Sequence, residues 1–130
     1  MIRPKRPKQT PADVADAYEM ATLRDNATCQ KCHGPGDVQR DHIQNRDRFN
    51  TVVSNLRCLC LPCHTWKTEH PETANETGWG CPRWANPSEW PGKRRVAGVF
   101  EWVFFDDAGG WEVITEAQAK AARSGFGIIF

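Results

Sequence analysis

The sequence of 130 residues contains no long hydrophobic run. A transmembrane helix needs about 20 consecutive apolar residues, and no segment approaches that length, so we expect a protein that does not enter a membrane. The basic start of the chain, residues 1–8, is not followed by the apolar segment of a secretory signal. These two absences predict a cytoplasmic protein, in which thiols stay reduced.

The chain also lacks a strong net charge and any internal repeat. Its formal net charge is +1 at pH 7, which by itself says nothing about a nucleic-acid partner. The charge is unevenly distributed, because residues 1–70 carry net +3 and residues 71–130 carry net −2. This asymmetry makes the N-terminal half the side that would face a polyanion.

The composition is that of a globular protein, with 39% hydrophobic and 25% charged residues. The length suits one domain with appended elements. We predict an α+β fold in three parts: a flexible basic arm over residues 1–9, a core over 10–70, and an extension over 71–130 that packs on the core. The arm is interpreted either as a solvated tail or as a phosphate contact.

Local signals place several elements. Thr10 can cap a helix that begins with Pro11, and Asp13 suits its first turn. Val99–Phe105 and Trp111–Ile114 are typical of strands, and the residues between them, 106–110, indicate a hairpin. A capping box over residues 115–118 predicts a short helix that ends before Gly125.

Residues 71–95 carry several prolines and glycines, which favour an irregular segment. Three tryptophans accompany them: Trp79, Trp84 and Trp90. Two interpretations stay open for these rings, packing of the segment on the core and stacking on nucleic-acid bases.

Four of the six cysteines form two Cys-x-x-Cys pairs, Cys29/Cys32 and Cys60/Cys63. Inside a cell such pairs usually hold zinc, because two residues between ligands let a tight turn present both sulfurs to one tetrahedral ion. We therefore predict a structural four-thiolate zinc site. Cys58 and Cys81 are interpreted as ordinary buried residues, although Cys58 lies near enough to the second pair to replace a ligand.

The 27 residues between Cys32 and Cys60 are more than a minimal zinc site needs. They contain a strand-like segment, residues 38–43, that carries Asp41 and His42. A shared zinc ion would bring both ends of this insertion together, so that Asp41 and His42 can meet His64, which follows the second cysteine pair.

These residues together resemble the HNH endonucleases, in the subgroup whose ββα-metal (His-Me finger) fold is braced by four cysteines. The resemblance covers residues 20–70, and its elements occur in the family's order: Arg24-Asp25, Cys29-x-x-Cys32, Asp41-His42-Ile43, Asn55-Leu56, Cys60-x-x-Cys63-His64 and Lys67-Thr68. It implies that residues 10–70 form an HNH nuclease core, in which residues 61–69 are the helix and His64 lies on its first turn.

The resemblance implies a metal-dependent hydrolase that cuts DNA to 5′-phosphate and 3′-hydroxyl ends. His42 would be the general base, since a neutral imidazole can take a proton from water. Asp41 and His64 would bind one catalytic divalent cation, Mg²⁺, Mn²⁺, Ni²⁺ or Zn²⁺. Asn55 matches the residue that orients the loop of the general base, a role we favour over metal ligation.

Basic side chains around this site are candidate contacts for double-stranded DNA, with the solvated surface as the alternative for each: Arg40, Arg46, Arg48, Arg57 and Lys67. Nothing in the sequence resembles a base-reading module, so we expect binding through phosphates. Similar small proteins are encoded by phages, and some assist DNA packaging, which makes the terminase a candidate partner and the host cytoplasm the location. We expect a monomer, with a dimer as the alternative.

Two other classes of function compete with the nuclease. A zinc-braced DNA-binding or assembly module would keep the fold without cutting. A redox protein that uses Cys-x-x-Cys is disfavoured, because two such pairs beside histidines suit a metal better.

Overall fold

The computed structural model describes residues 8–124 of the chain. Within this range the fold is α+β, with four α-helices, two small antiparallel sheets and two short 3₁₀ turns at Val53–Asn55 and Pro87–Glu89. The elements follow in this order: α1 (Pro11–Arg24), β1 (Val38–His42), β2 (Leu56–Cys60), α2 (Leu61–Glu69), α3 (Pro71–Thr77), β3 (Gly92–Val96), β4 (Val99–Phe105), β5 (Trp111–Ile114) and α4 (Glu116–Arg123). None of these helices has both the length and the apolar composition that a membrane crossing requires. Most of the predicted basic arm, residues 1–7, lies outside the described range.

Helix α1 begins where its capping signals predict. The Thr10 side chain accepts a hydrogen bond from the backbone of Asp13, and the Asp13 carboxylate accepts one from the backbone of Thr10. This reciprocal pair satisfies two N–H groups that no helical carbonyl can reach. One face of the helix carries Ala17 and Ala21 and packs against Leu56 of β2.

Strands β1 and β2 pair in antiparallel register, with Asp41 opposite Arg57 and His42 opposite Leu56. All five residues of β2 are buried. Helix α2 begins immediately after β2, with Pro62 in its first turn, where a missing N–H costs nothing. This strand–strand–helix unit places the carboxyl end of β1 beside α2.

The C-terminal part contains more regular structure than the prediction for residues 71–95 allowed. The predicted strands β4 and β5 and helix α4 are present, but α3 and β3 lie in the segment that was expected to be irregular. Strand β3 joins the hairpin to give a sheet in the order β3-β4-β5. Its residues Lys93, Arg94 and Arg95 have little intrinsic strand preference, so pairing with β4 determines this strand.

The tryptophans of this part differ in burial. Trp79 and Trp90 are buried, so packing is the correct interpretation for them. Trp84 keeps 59% of its surface exposed and meets Trp90 edge to face. One hydrophobic cluster contains residues from both the N-terminal and the C-terminal part of the chain. In it, Ile43 packs with Trp90, Val103 and Phe105.

A buried ionic network joins α1, β2 and β3. The Asp25 carboxylate accepts hydrogen bonds from Arg24, from Arg94 and from the backbone N–H of Cys58. Burial disfavours the charged form of Asp25, but Arg24, the backbone N–H of Cys58 and Arg94 together outweigh burial and lower the pKa of this carboxyl. Three separate elements therefore depend on one carboxylate.

Replacing this carboxylate tests how much the network contributes to folding. Asp25→Ala leaves Arg24 and Arg94 without their shared counter-charge, so it should lower the free energy of unfolding by about 3–5 kcal/mol. Urea unfolding of the zinc-loaded protein, followed by tryptophan fluorescence, measures this change. The control is Glu19→Ala, which removes an exposed carboxylate from α1, the helix that Asp25 follows. Equal stability of the two variants would contradict the assignment.

Candidate metal centre and active site

The four cysteines of the two predicted pairs lie together. Cys29 and Cys32 lie between α1 and β1, Cys60 ends β2, and Cys63 lies in the first turn of α2. Their sulfurs are all within 4.8 Å of one another, and Sγ of Cys32 is 3.6 Å from Sγ of Cys60. Thiolates at about 2.3 Å from a tetrahedral zinc ion stand about 3.8 Å apart. The cluster can therefore hold a structural metal such as zinc.

Backbone N–H groups point at these sulfurs, as expected for a thiolate site. Gly34 donates to Sγ of Cys32 over 3.2 Å, and Cys32 donates to Sγ of Cys29 over 3.5 Å. Burial disfavours the Cys29 thiolate, but backbone N–H donors of both pairs outweigh it and lower the pKa of this thiol to about 6. Burial raises the pKa of Cys60 and Cys63. A divalent cation would let all four ionise together.

The other two cysteines are not part of this cluster. Sγ of Cys58 lies 4.0 Å from the carbonyl oxygen of Ala21 on α1, and burial raises the pKa of its thiol to about 11. Cys81 is buried beside Gln44. In residues 8–124, neither belongs to the group of cysteines that could hold a metal, and both are buried. Cys58 therefore does not take the place of one of the four.

Asp41 and His64 come together as the resemblance implies. Asp41 is buried on the face of β1 that meets α2, and its Oδ1 lies 2.9 Å from Nδ1 of His64. Its Oδ2 accepts a hydrogen bond of 2.7 Å from Nζ of Lys67. His64 and Lys67 are three residues apart on α2, a spacing that puts them on one helix face. This spacing is the sequence feature from which Lys67, beside His64, could have been predicted as a partner of Asp41.

His42 leaves β1 on the other face, because successive side chains of a strand alternate. Its Nε2 lies 2.9 Å from Oγ1 of Thr51, and its ring meets Tyr18 edge to face. Burial, with the positive charge of Arg46, lowers the pKa of His42. The imidazole is therefore neutral at physiological pH and can accept a proton. Nothing in the sequence pointed to Thr51 as its partner.

Asn55 is fully buried and holds the loop that follows His42. Its side-chain oxygen accepts a hydrogen bond from the backbone N–H of Gln44 over 2.7 Å, and its amide nitrogen donates to the carbonyl oxygens of Gln44 and Asn50. The backbone carbonyl of Asn55 also accepts from Ile43. This amide is occupied by backbone partners, which suits an orienting group better than a metal ligand.

A cleft of about 510 Å³ opens over these residues. Asp41, His42 and His64 all line it, between β1, α2 and residues 81–83. Four cationic side chains line it as well, against the single carboxylate of Asp41: Arg40, Arg46, Lys67 and Arg83. Arg83 comes from the C-terminal extension, and no sequence motif indicated that it would reach this site.

The predicted DNA contacts differ in exposure. Arg40, Arg46 and Arg48 are exposed, although Arg48 is outside the lining of the cleft. The prediction for Arg57 is wrong, because its side chain is fully buried and its guanidinium donates to the carbonyl oxygens of Gly78 and Trp79. Burial also lowers the pKa of Arg57 to about 10.

Lys67 lines the cleft but its amine is committed to the protein. Nζ donates to Asp41 and to the carbonyl oxygen of His42, and only 11% of the side chain is exposed. Burial lowers the pKa of this amine. Any phosphate that Lys67 contacts would share the amine with these two partners.

Comparison of the chain with models of protein families, with curated proteins and with solved structures found no match.

The cysteine cluster generates a test based on metal content. The purified protein should contain one zinc ion per chain, and Cys60→Ser should lose this ion and unfold at lower temperature, because one thiolate ligand is gone. Cys58→Ala is the matched control, since it changes a buried cysteine two residues away and should keep the zinc. Metal analysis by mass spectrometry measures both. Zinc lost from Cys58→Ala and retained by Cys60→Ser would reverse the ligand assignment.

Proposed function

We propose that this protein is a metal-dependent HNH endonuclease, whose β1–β2–α2 unit is a ββα-metal nuclease core. One observation carries the proposal: Asp41 and His64 meet at 2.9 Å in a cationic cleft that His42 also lines. Asp41 and His42 lie in the insertion between the cysteine pairs, and His64 follows the second pair. Together they could supply a cation site and a proton acceptor, which are two aids to the hydrolysis of a phosphodiester.

The Asp41–His64 pair suits a divalent cation. Two neighbouring ligands of an octahedral ion with bonds of about 2.1 Å are about 3.0 Å apart, close to the separation of Oδ1 and Nδ1 here. A cation bound there would act as a Lewis acid on the scissile phosphate and the leaving 3′-oxygen. Lys67 occupies the second carboxylate oxygen and so leaves Oδ1 directed at His64.

His42 is the proposed general base. Its lowered pKa keeps the ring neutral, so it can take a proton from the attacking water, a contribution of about 10²- to 10⁴-fold in rate. Asn55 supports this role through the loop that it holds. The products would carry 5′-phosphate and 3′-hydroxyl ends, as in the family that the sequence resembles.

The proposed substrate is double-stranded DNA held through its phosphates. Arg40, Arg46 and Arg83 line the cleft, and such contacts position a duplex without reading its sequence. We further propose a phage protein that acts in the host cytoplasm beside the terminase, which the resemblance alone suggests.

A non-cleaving DNA-binding or assembly module is the second candidate function. One observation favours it: the Asp41 carboxylate already pairs with His64 and with the ammonium of Lys67. A neighbouring cation opposes the binding of a second one. In such a module the cleft would hold phosphates without an activated water.

A nicking assay on supercoiled plasmid separates the two functions. The native chain should cut with at least one of Mg²⁺, Mn²⁺, Ni²⁺ or Zn²⁺, and His42→Ala should cut about 10²- to 10⁴-fold more slowly because the proton acceptor is lost. His33→Gly is the control, since His33 is exposed and has a left-handed backbone, φ 54°, that glycine adopts freely. A native chain that binds DNA but cuts with none of these ions would favour the module.

The salt dependence of DNA binding tests the contribution of Arg83. Arg83→Gln should weaken binding and reduce the slope of log Kobs against log salt by about 1, because one phosphate contact is lost. Fluorescence anisotropy with a labelled duplex in EDTA, which prevents cutting, provides the measurement. Lys120→Gln removes an exposed cation from α4, outside the cleft, and should leave the slope unchanged. If Arg83→Gln leaves the slope unchanged, Arg83 does not contact a DNA phosphate.

A further inference from the structure

The side chain that contacts the His42 ring nitrogen is Thr51. Oγ1 of Thr51 lies 2.9 Å from Nε2 of His42, and Thr51 is only 2% exposed. In the described part of the chain, no side chain or backbone group forms a hydrogen bond with the other ring nitrogen, Nδ1. The hydroxyl therefore contacts one specific edge of the imidazole.

Thr51 is itself held by Gln9, the residue before the cap of α1. The Gln9 amide nitrogen donates to the carbonyl oxygen of Thr51, and the backbone N–H of Thr51 donates to the amide oxygen of Gln9 over 2.8 Å. These two bonds satisfy the backbone of Thr51 without using its hydroxyl. Removing the hydroxyl therefore leaves both hydrogen bonds between Gln9 and Thr51, which we call the Gln9 clamp, intact.

The direction of the hydrogen bond between Thr51 and His42 decides which ring nitrogen can accept a proton. A neutral imidazole has one N–H donor and one acceptor nitrogen. If Nε2 donates to Oγ1, Nδ1 carries the free lone pair. If the hydroxyl donates to Nε2, Nδ1 carries the proton, and neither nitrogen can take another from water.

We propose that Thr51, clamped by Gln9, is the positioning residue of His42 and holds the ring in the tautomer whose Nδ1 accepts the proton. This inference rests on the proposed function, because it assigns the partner that prepares the general base of that reaction. The residue acts through His42 and does not touch the substrate.

The tautomer can be measured without any cleavage. In protein labelled with ¹⁵N-histidine at mildly alkaline pH, where imidazole is neutral, Nδ1 of His42 should resonate as an unprotonated nitrogen and Nε2 as a protonated one. Comparison with His42→Ala identifies these signals. Thr51→Ser, which keeps the hydroxyl, should preserve the pattern, and Thr51→Val should shift it toward exchange between tautomers. A protonated Nδ1 in the native protein would overturn the inference.

Cleavage kinetics provide the second arm. Thr51→Val should lower kcat by about 10- to 100-fold, part of what a general base contributes, with KM unchanged, and Thr51→Ser should restore most of the rate. Gln9→Ala should lower kcat to a smaller degree, since Thr51 keeps its hydroxyl but loses the two hydrogen bonds that hold its backbone. The control is Thr77→Val, which removes an exposed hydroxyl that bonds only within α3.

The two arms separate the possible failures. A native chain that cuts no DNA would contradict the proposed function, while the nitrogen pattern would still decide whether Thr51 sets the tautomer. Thr51→Val with an unchanged nitrogen pattern or an unchanged kcat would overturn the inference.

Discussion

The meeting of two cysteine pairs is the constraint on which the candidate site depends. Cys29 and Cys32 precede the insertion, and Cys60 and Cys63 follow it, so their clustering forces the chain between them to return to its starting point. Strand β1 pairs with β2 inside that closed segment, and α2 begins where β2 ends. Asp41 and His64, far apart along the chain, are therefore neighbours.

Buried ionic and polar groups join distant parts of this fold. Asp25 joins three elements, and Arg57 ties β2 to the backbone of the C-terminal extension. Burying such groups is costly unless every partner is in place. Alternative packings would leave these charges unpaired, so the network favours one arrangement of the extension against the β1–β2 hairpin.

The cleft depends on the same arrangement of the extension against the hairpin. The extension supplies Arg83 to a wall opposite β1, and Gln44 beneath the cleft bonds the carbonyls of residues 82 and 85. The loop after His42 is thus held by Asn55 from one side and by the extension from the other. The His42 ring, the hydrogen-bonded pair of Asp41 and His64 and several cationic side chains share one opening. A cation in the proposed site would have to compete with Lys67 for Asp41.

Features that depend on neighbouring residues could be predicted from the sequence. The helix caps at Thr10 and Thr115, the strands β4 and β5, and the two cysteine pairs are encoded within a few positions, so their patterns could be recognised directly. That the four cysteines would lie together was predicted from the preference of zinc for four ligands. The convergence of Asp41 with His64 was expected from the family resemblance and from that grouping.

Features that depend on distant partners could not be predicted in this way. Strand β3 exists because β4 pairs with it, Arg57 turns inward because carbonyls of residues 78 and 79 satisfy it, and Thr51 reaches His42 because Gln9 holds its backbone. No residue near these positions in the chain signals such contacts. Hydrogen bonds and ion pairs between distant segments form only once the whole fold has brought their atoms within reach, and so local patterns cannot encode them.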